Sequence, residues 1–114
     1  MRDQRERLLD ILDAIEQVQK YTSRGRAVFE TDELVQVWVV HHLQIIGEAV
    51  RALSEELKRA HPEIPWPVIV AMRNIIVHEY FIYDLNEAWK VAENDLADLK
   101  QKITAILGAM PEQP

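Results

Sequence analysis

Apolar residues return every three or four positions along most of the chain, which is the period of an amphipathic helix rather than the alternation of a strand. From about Asp3 to Tyr21, Leu8, Ile11, Leu12, Ile15 and Val18 form one stripe, with charged residues on the other face. Thr22–Arg26 interrupts the pattern, and Gly25 is the residue there suited to a positive φ. A second, long helix is expected from Thr31 or Asp32 to about Ala60, with Leu34, Val37, Trp38, Val40, Leu43, Ile46, Val50, Leu53 and Leu57 on its apolar side. The run Val37–Val40 is apolar all round and predicts contacts on more than one side. His61–Pro67 holds three prolines and must leave the helix, with Pro67 placed for the first turn of the next one. That third helix is expected from about Pro67 to His78 or Tyr80. A fourth should begin at an Asp84 cap paired with Glu87. In it Leu85, Trp89, Ala92, Leu96, Leu99, Ile103 and Ile106 alternate four and three, the seam of an antiparallel bundle. Gly108 and Pro111 should end it. These elements predict an all-α, up-and-down bundle of four helices, or five if one divides.

The length of 114 residues fits one domain over 1–114, with a frayed tail from about 109. Hydrophobic residues at 48% and charged residues at 28% exclude intrinsic disorder. There is no cysteine, which removes disulfides, thiolate metal sites and a thiol nucleophile, and fits a reducing cytoplasm. The start, MRDQRERLLD, is charged where a signal peptide would be apolar, and no run is long enough to span a membrane, so a cytoplasmic protein is expected. Thirteen Lys and Arg against nineteen Asp and Glu leave a net charge of −6. Bulk charge therefore cannot hold nucleic acid; any such contact needs a local basic patch.

His41 and His42 are adjacent, so on a helix they diverge by about 100° and cannot chelate one ion; with no His-Glu-x-x-His spacing, no metal site or cofactor is expected. They read as polar residues on a half-exposed face. Glu48, after Gly47 in an apolar stretch, reads either as a solvent-facing residue beside a close-packing glycine or as a carboxylate orienting an Arg or His of a neighbouring helix. Arg24 and Arg26 read as a solvated turn, and Trp38, Trp66 and Trp89 as core. The richest stretch is Ala71–Phe81. Ile69, Met72 and Ile76 form an apolar stripe with Arg73 about 40° from its edge, where a guanidinium must snorkel or find a partner. Tyr80 returns to the Arg73 side, but His78 lies about 140° away if the helix is straight. Either the helix ends before His78 or two copies of the motif meet across a symmetric interface.

Arg73-Asn74-Ile75-Ile76-Val77-His78-Glu79-Tyr80 resembles the signature of HEPN-domain ribonucleases, an Arg followed by a polar residue with a His four to six positions on. The Tyr two after the His resembles the HepT toxin branch. LQIIGEA (Leu43–Ala49), ELKRAHPEIPW (Glu56–Trp66) and ENDLADLKQKI (Glu93–Ile103) agree, so the similarity covers nearly the whole chain. Ala71, where such proteins often have Gly, and Ile82-Tyr83 depart from the pattern. The resemblance implies a HEPN-like bundle and the toxin of a type VII toxin–antitoxin pair: a metal-independent endoribonuclease acting on RNA. Arg73 and His78 would be catalytic, Asn74 and Glu48 supporting, in a composite site of a homodimer. The partner implied is an MntA-like minimal nucleotidyltransferase antitoxin, which would transfer AMP to Tyr80. The other reading of such a chain is a noncatalytic helical partner that helps a nucleotidyltransferase hold nucleotide or substrate.

Overall fold

The computed structural model describes residues 3–71 and 85–110. The described residues are helical throughout, with no strand among them: α1 (Gln4–Thr22), α2 (Arg26–Thr31), α3 (Glu33–Ala52), α4 (Glu55–Ala60), α5 over residues 66–71, α6 (Leu85–Lys90) and α7 (Leu96–Ala109). A π-helical turn, Val91–Asp95, joins α6 to α7. The fold class is all-α, as the pattern predicts.

The two longest helices, α1 and α3, start where a side chain satisfies the first free amides. The Asp3 carboxylate accepts the Glu6 N–H at 2.8 Å, and Asp32 accepts those of Leu34 and Val35 at 3.0 and 3.3 Å. Gly25 takes φ 100° between α1 and α2, the conformation an L side chain would resist. The turn at Thr22–Arg26 is thus as expected, but Arg26–Thr31 after it is a helix of its own, with Phe29 buried.

Leu8, Ile11, Ile15 and Val18 of α1 have no exposed surface, and they meet Val39, Leu43, Ile46 and Val50 of α3, equally enclosed. The two helices run antiparallel. At one end the Gln4 side-chain oxygen accepts the Ser54 N–H at 2.7 Å; at the other the Trp38 indole donates to the Gln17 carbonyl at 2.8 Å. Leu96, Leu99, Ile103 and Ile106 of α7 close the third side, and Trp89 of α6 packs against Phe29 with ring centroids 5.4 Å apart.

Three expectations need correcting. The helix from Asp32 does not reach Ala60: Leu53 is extended (φ −65°, ψ 149°), and Ser54 opens α4 by accepting the Leu57 N–H at 3.1 Å. The apolar period crosses this break, so it hides there, while the serine hydroxyl competes for the backbone. The phase of α3 also differs at its start. Leu34 and Val37 are 81% and 51% exposed, and Val35 and Val39 are buried instead. Because Val37–Val40 is apolar all round, only the position of α1 decides which side turns inward. Gly108 lies inside α7, which ends at Ala109 with Met110 extended. The third predicted helix beyond residue 71, the Asp84 cap and the tail 111–114 lie outside the described residues.

Ile15→Ala is expected to lower unfolding free energy by about 2–5 kcal/mol, since it empties a fully enclosed site. Leu34→Ala should stay within about 0.5 kcal/mol. Urea denaturation followed by far-ultraviolet circular dichroism measures both, and equal losses would contradict this packing.

Candidate functional site

Among the predicted site residues Glu48 is described, and Arg73, Asn74, His78 and Tyr80 lie outside the described residues. The surroundings of the motif can still be built from the segment that leads into it. Residues 66–71 are helical, and Ala71 stands two positions before Arg73 in the sequence. This helix begins at an anchored residue. Trp66 is 5% exposed, and its indole N–H donates to the carbonyls of Lys58 and His61, each at 3.0 Å. Those acceptors lie at the end of α4, where they also take the backbone N–H groups of His61 and Ile64 at 3.2 and 3.3 Å. One buried donor therefore ties the end of α4 to the start of α5. Lys102 of α7 reaches the same loop, donating to the Glu63 carbonyl at 3.1 Å while pairing with Asp98 at 2.8 Å. The proline-rich connection is thus held from two sides.

Glu48 is exposed, between buried Gly47 and Ala49 on α3. It lines a groove of about 540 Å³ between α1 and α3, with Arg7, Asp10, Asp13, His41 and Gln44. Three carboxylates and one guanidinium are among its described lining residues. The Arg7 Nε is buried without a hydrogen-bond partner. His41 is exposed on the groove, whereas His42 is buried, which corrects its expected place on a half-exposed face. The His42 Nδ1 lies 2.7 Å from the Trp38 carbonyl, which can only accept, so Nδ1 carries the proton. The two rings stand edge to face at 5.2 Å. Of the described residues, no three His, Asp or Glu side chains are grouped to hold a metal ion, and no described helix is long and apolar enough to cross a membrane.

A second concavity, of about 760 Å³, lies where α3 ends and α4 meets α5. Its rim carries Arg51, Lys58 and Arg59, with Glu55 the acid among its lining residues. The sequence reading placed no site residue here, because basic residues at 51, 58 and 59 look like an ordinary solvated helix face until the break at Ser54 is known. Arg26, by contrast, is spent structurally: it pairs with Glu30 at 2.7 Å and donates to the Asn86 side chain.

The family profile described as "Ribonuclease HepT-like" matches residues 11–106, which take in α1 from its third turn, the anchored loop, the Arg73–Tyr80 motif and most of α7. The chain belongs to the HepT-like family. It is 38% identical to "Probable ribonuclease HepT" of Thermococcus cleftensis over 104 residues, covering 89% of this chain and 93% of that protein. It is 30% identical over 106 residues to a "Putative RNase" of Methanocaldococcus jannaschii, covering 92% and 97%. It is also 35% identical over 98 residues to a "Gamma-glutamylcyclotransferase and putative RNase" of the same organism, where 85% of this chain spans 44% of the longer protein. No solved structure matches.

Trp66→Phe keeps the ring and removes the indole N–H, leaving the two carbonyls only their backbone donors. It should cost about 0.5–1.5 kcal/mol and speed amide hydrogen exchange over residues 55–71 more than in α1. Uniform protection in wild type and variant would show that the indole does not hold this loop.

Proposed function

We propose that this HepT-like chain is an endoribonuclease and the toxin of a type VII toxin–antitoxin pair. The observation that carries the reading is the family match across 11–106, which contains Arg73, Asn74, His78 and Tyr80 together in their expected spacing. Cleavage without a metal ion has the 2′-OH of RNA attack the adjacent phosphorus. The P–O5′ bond breaks, leaving a 2′,3′-cyclic phosphate and a 5′-OH. One group must take the 2′-OH proton and another must give a proton to the departing 5′ oxygen. Histidine titrates in the range this needs, so His78 is assigned the proton transfers. A forked guanidinium suits the charge that builds on the phosphorane oxygens, and this is the role of Arg73. Asn74 contacts phosphate or orients its neighbour, and Glu48 is the supporting carboxylate that orients Arg73 or His78.

One His78 per chain cannot act as base and acid in the same turnover. Two chains supply both, so the working unit is a homodimer with the paired motifs in one cleft. Regulation follows from the same residues. A nucleotidyltransferase antitoxin transfers AMP from ATP to the Tyr80 oxygen: the O–P bond forms, pyrophosphate leaves, and the phenolic proton is released. The added phosphate can pair with Arg73 by charge-assisted hydrogen bonds and repel incoming RNA.

Purified wild-type protein should cut single-stranded RNA to 2′,3′-cyclic phosphate ends in the presence of a metal chelator. Arg73→Ala and His78→Ala should each lower the rate at least about 10²-fold. Full activity in both variants would overturn the enzymatic reading and leave the noncatalytic partner role. Sedimentation at micromolar concentration should show a dimer; a strict monomer that still cuts RNA would remove the composite site. After co-expression with an active nucleotidyltransferase partner, mass spectrometry should find an AMP-sized addition on the peptide containing Tyr80. Equal neutralisation of Tyr80→Phe and wild type would refute that form of control.

A further inference from the structure

The distribution of unused cations points to a second functional surface. We infer that Arg51, Lys58 and Arg59 form a track for the phosphodiester backbone of RNA, leading to the segment that bears Arg73; this rests on the ribonuclease reading above.

The charge balance of the cleft runs against that of the chain. The whole sequence carries −6, yet the concavity at the α3–α4–α5 junction presents three cations and one carboxylate. Arg51 and Arg59 have no ion-pair partner among the described residues, although both are exposed in a chain rich in acids. Lys58 lies 3.4 Å from Glu55, whose side chain is 78% exposed, and a solvated pair of that kind neutralises little. Arg26 and Lys102, by contrast, are paired, with Glu30 and Asp98. A polyanion is drawn to the cations of this cleft.

The cleft is also a fixed one. Arg51 sits in the last turn of α3, and Lys58 and Arg59 in the last turn of α4. The turn between those helices is secured by the bond from Ser54 to Gln4 of α1. The Trp66 indole, bound to the Lys58 and His61 carbonyls, fixes the end of α4 against α5. Ala71, on the cleft wall, is two residues from Arg73. The backbone that carries Arg51 and Arg59 is held, and each guanidinium can donate two parallel N–H bonds to a phosphate.

The test uses full-length protein carrying His78→Ala, so that bound RNA is not cut, and a single-stranded RNA longer than about 16 nucleotides. Adding Arg51→Gln and Arg59→Gln should weaken binding about tenfold at low salt and reduce the slope of log K against log salt by about 1.4, two phosphate contacts at about 0.7 each. Arg51→Lys with Arg59→Lys keeps the charges and should keep the slope. Lys20→Gln with Arg24→Gln removes two cations at the far end of α1 and should change affinity less than twofold. Circular dichroism confirms that all variants are folded. If wild type cuts RNA but the glutamine pair binds it with the affinity and slope of its parent, the cleft proposal fails alone. If wild type neither binds nor cuts RNA, the ribonuclease reading and the proposal fail together. If the glutamine pair keeps RNA binding and instead loses the nucleotidyltransferase partner, the cleft is a protein-docking surface and the proposal is overturned.

Discussion

Everything described in this molecule depends on the seam between α1 and α3. Four residues of α1 without exposed surface face four of α3 in the same state, and burying each such side chain contributes roughly 1.5–3 kcal/mol. The seam fixes more than stability. It sets the two helices antiparallel and in one register, so that Gln4 meets the amide at Ser54 and the Gln17 carbonyl meets the Trp38 indole. A slip of one turn, about 5.4 Å, would break both bonds at once. The seam also decides where α3 can stop, because the amide exposed by the break at Leu53–Ser54 has its acceptor waiting on α1.

From that break the corner joining α3, α4 and α5 is assembled. A continuous helix to Ala60 would satisfy its own amides and need no partner. The interrupted one has Ser54 to cap α4, Gln4 to satisfy the Ser54 amide, and Trp66 to tie the end of α4 to the next helix. These three polar contacts turn a stretch with two prolines after it into a rigid corner, and the helix leading to Arg73 starts from that corner. Packing supplies the free energy, while the hydrogen bonds supply the position.

What could be read from the sequence follows the same division. The apolar stripes of α1 and α7, the helix starts near Asp3 and Asp32, and the turn at Gly25 were legible because each has a local cause: periodicity, where that period begins, a missing Cβ. The break at Ser54 was not, since Val50, Leu53 and Leu57 keep the helical period through it, and the interruption depends on a side chain fifty residues earlier. The phase of α3 at Leu34 and Val37 was not, because a stretch apolar on every side takes its orientation from its neighbour. The π turn at Val91–Asp95 leaves the four-three spacing of Ala92, Leu96 and Leu99 intact and has no signal in composition. The candidate site divides likewise. Arg73, His78 and Tyr80 stand out by spacing and resemblance alone, whereas Arg51, Lys58 and Arg59 gain meaning only when the corner brings them to one cleft.

Net charge and local charge then act on different steps of one encounter. A protein of −6 repels RNA at distances beyond about 8–10 Å only weakly, because physiological salt screens it. Within that range the sign of the nearest face decides. On the ribonuclease reading, the exposed guanidinium groups of Arg51 and Arg59 would then decide where a polyanion docks. Bulk acidity would limit nonspecific adhesion to RNA, and the cationic corner would hold the contact beside the helix over residues 66–71. Placing those cations on a corner fixed by polar bonds, rather than on a flexible tail, would set the place of binding.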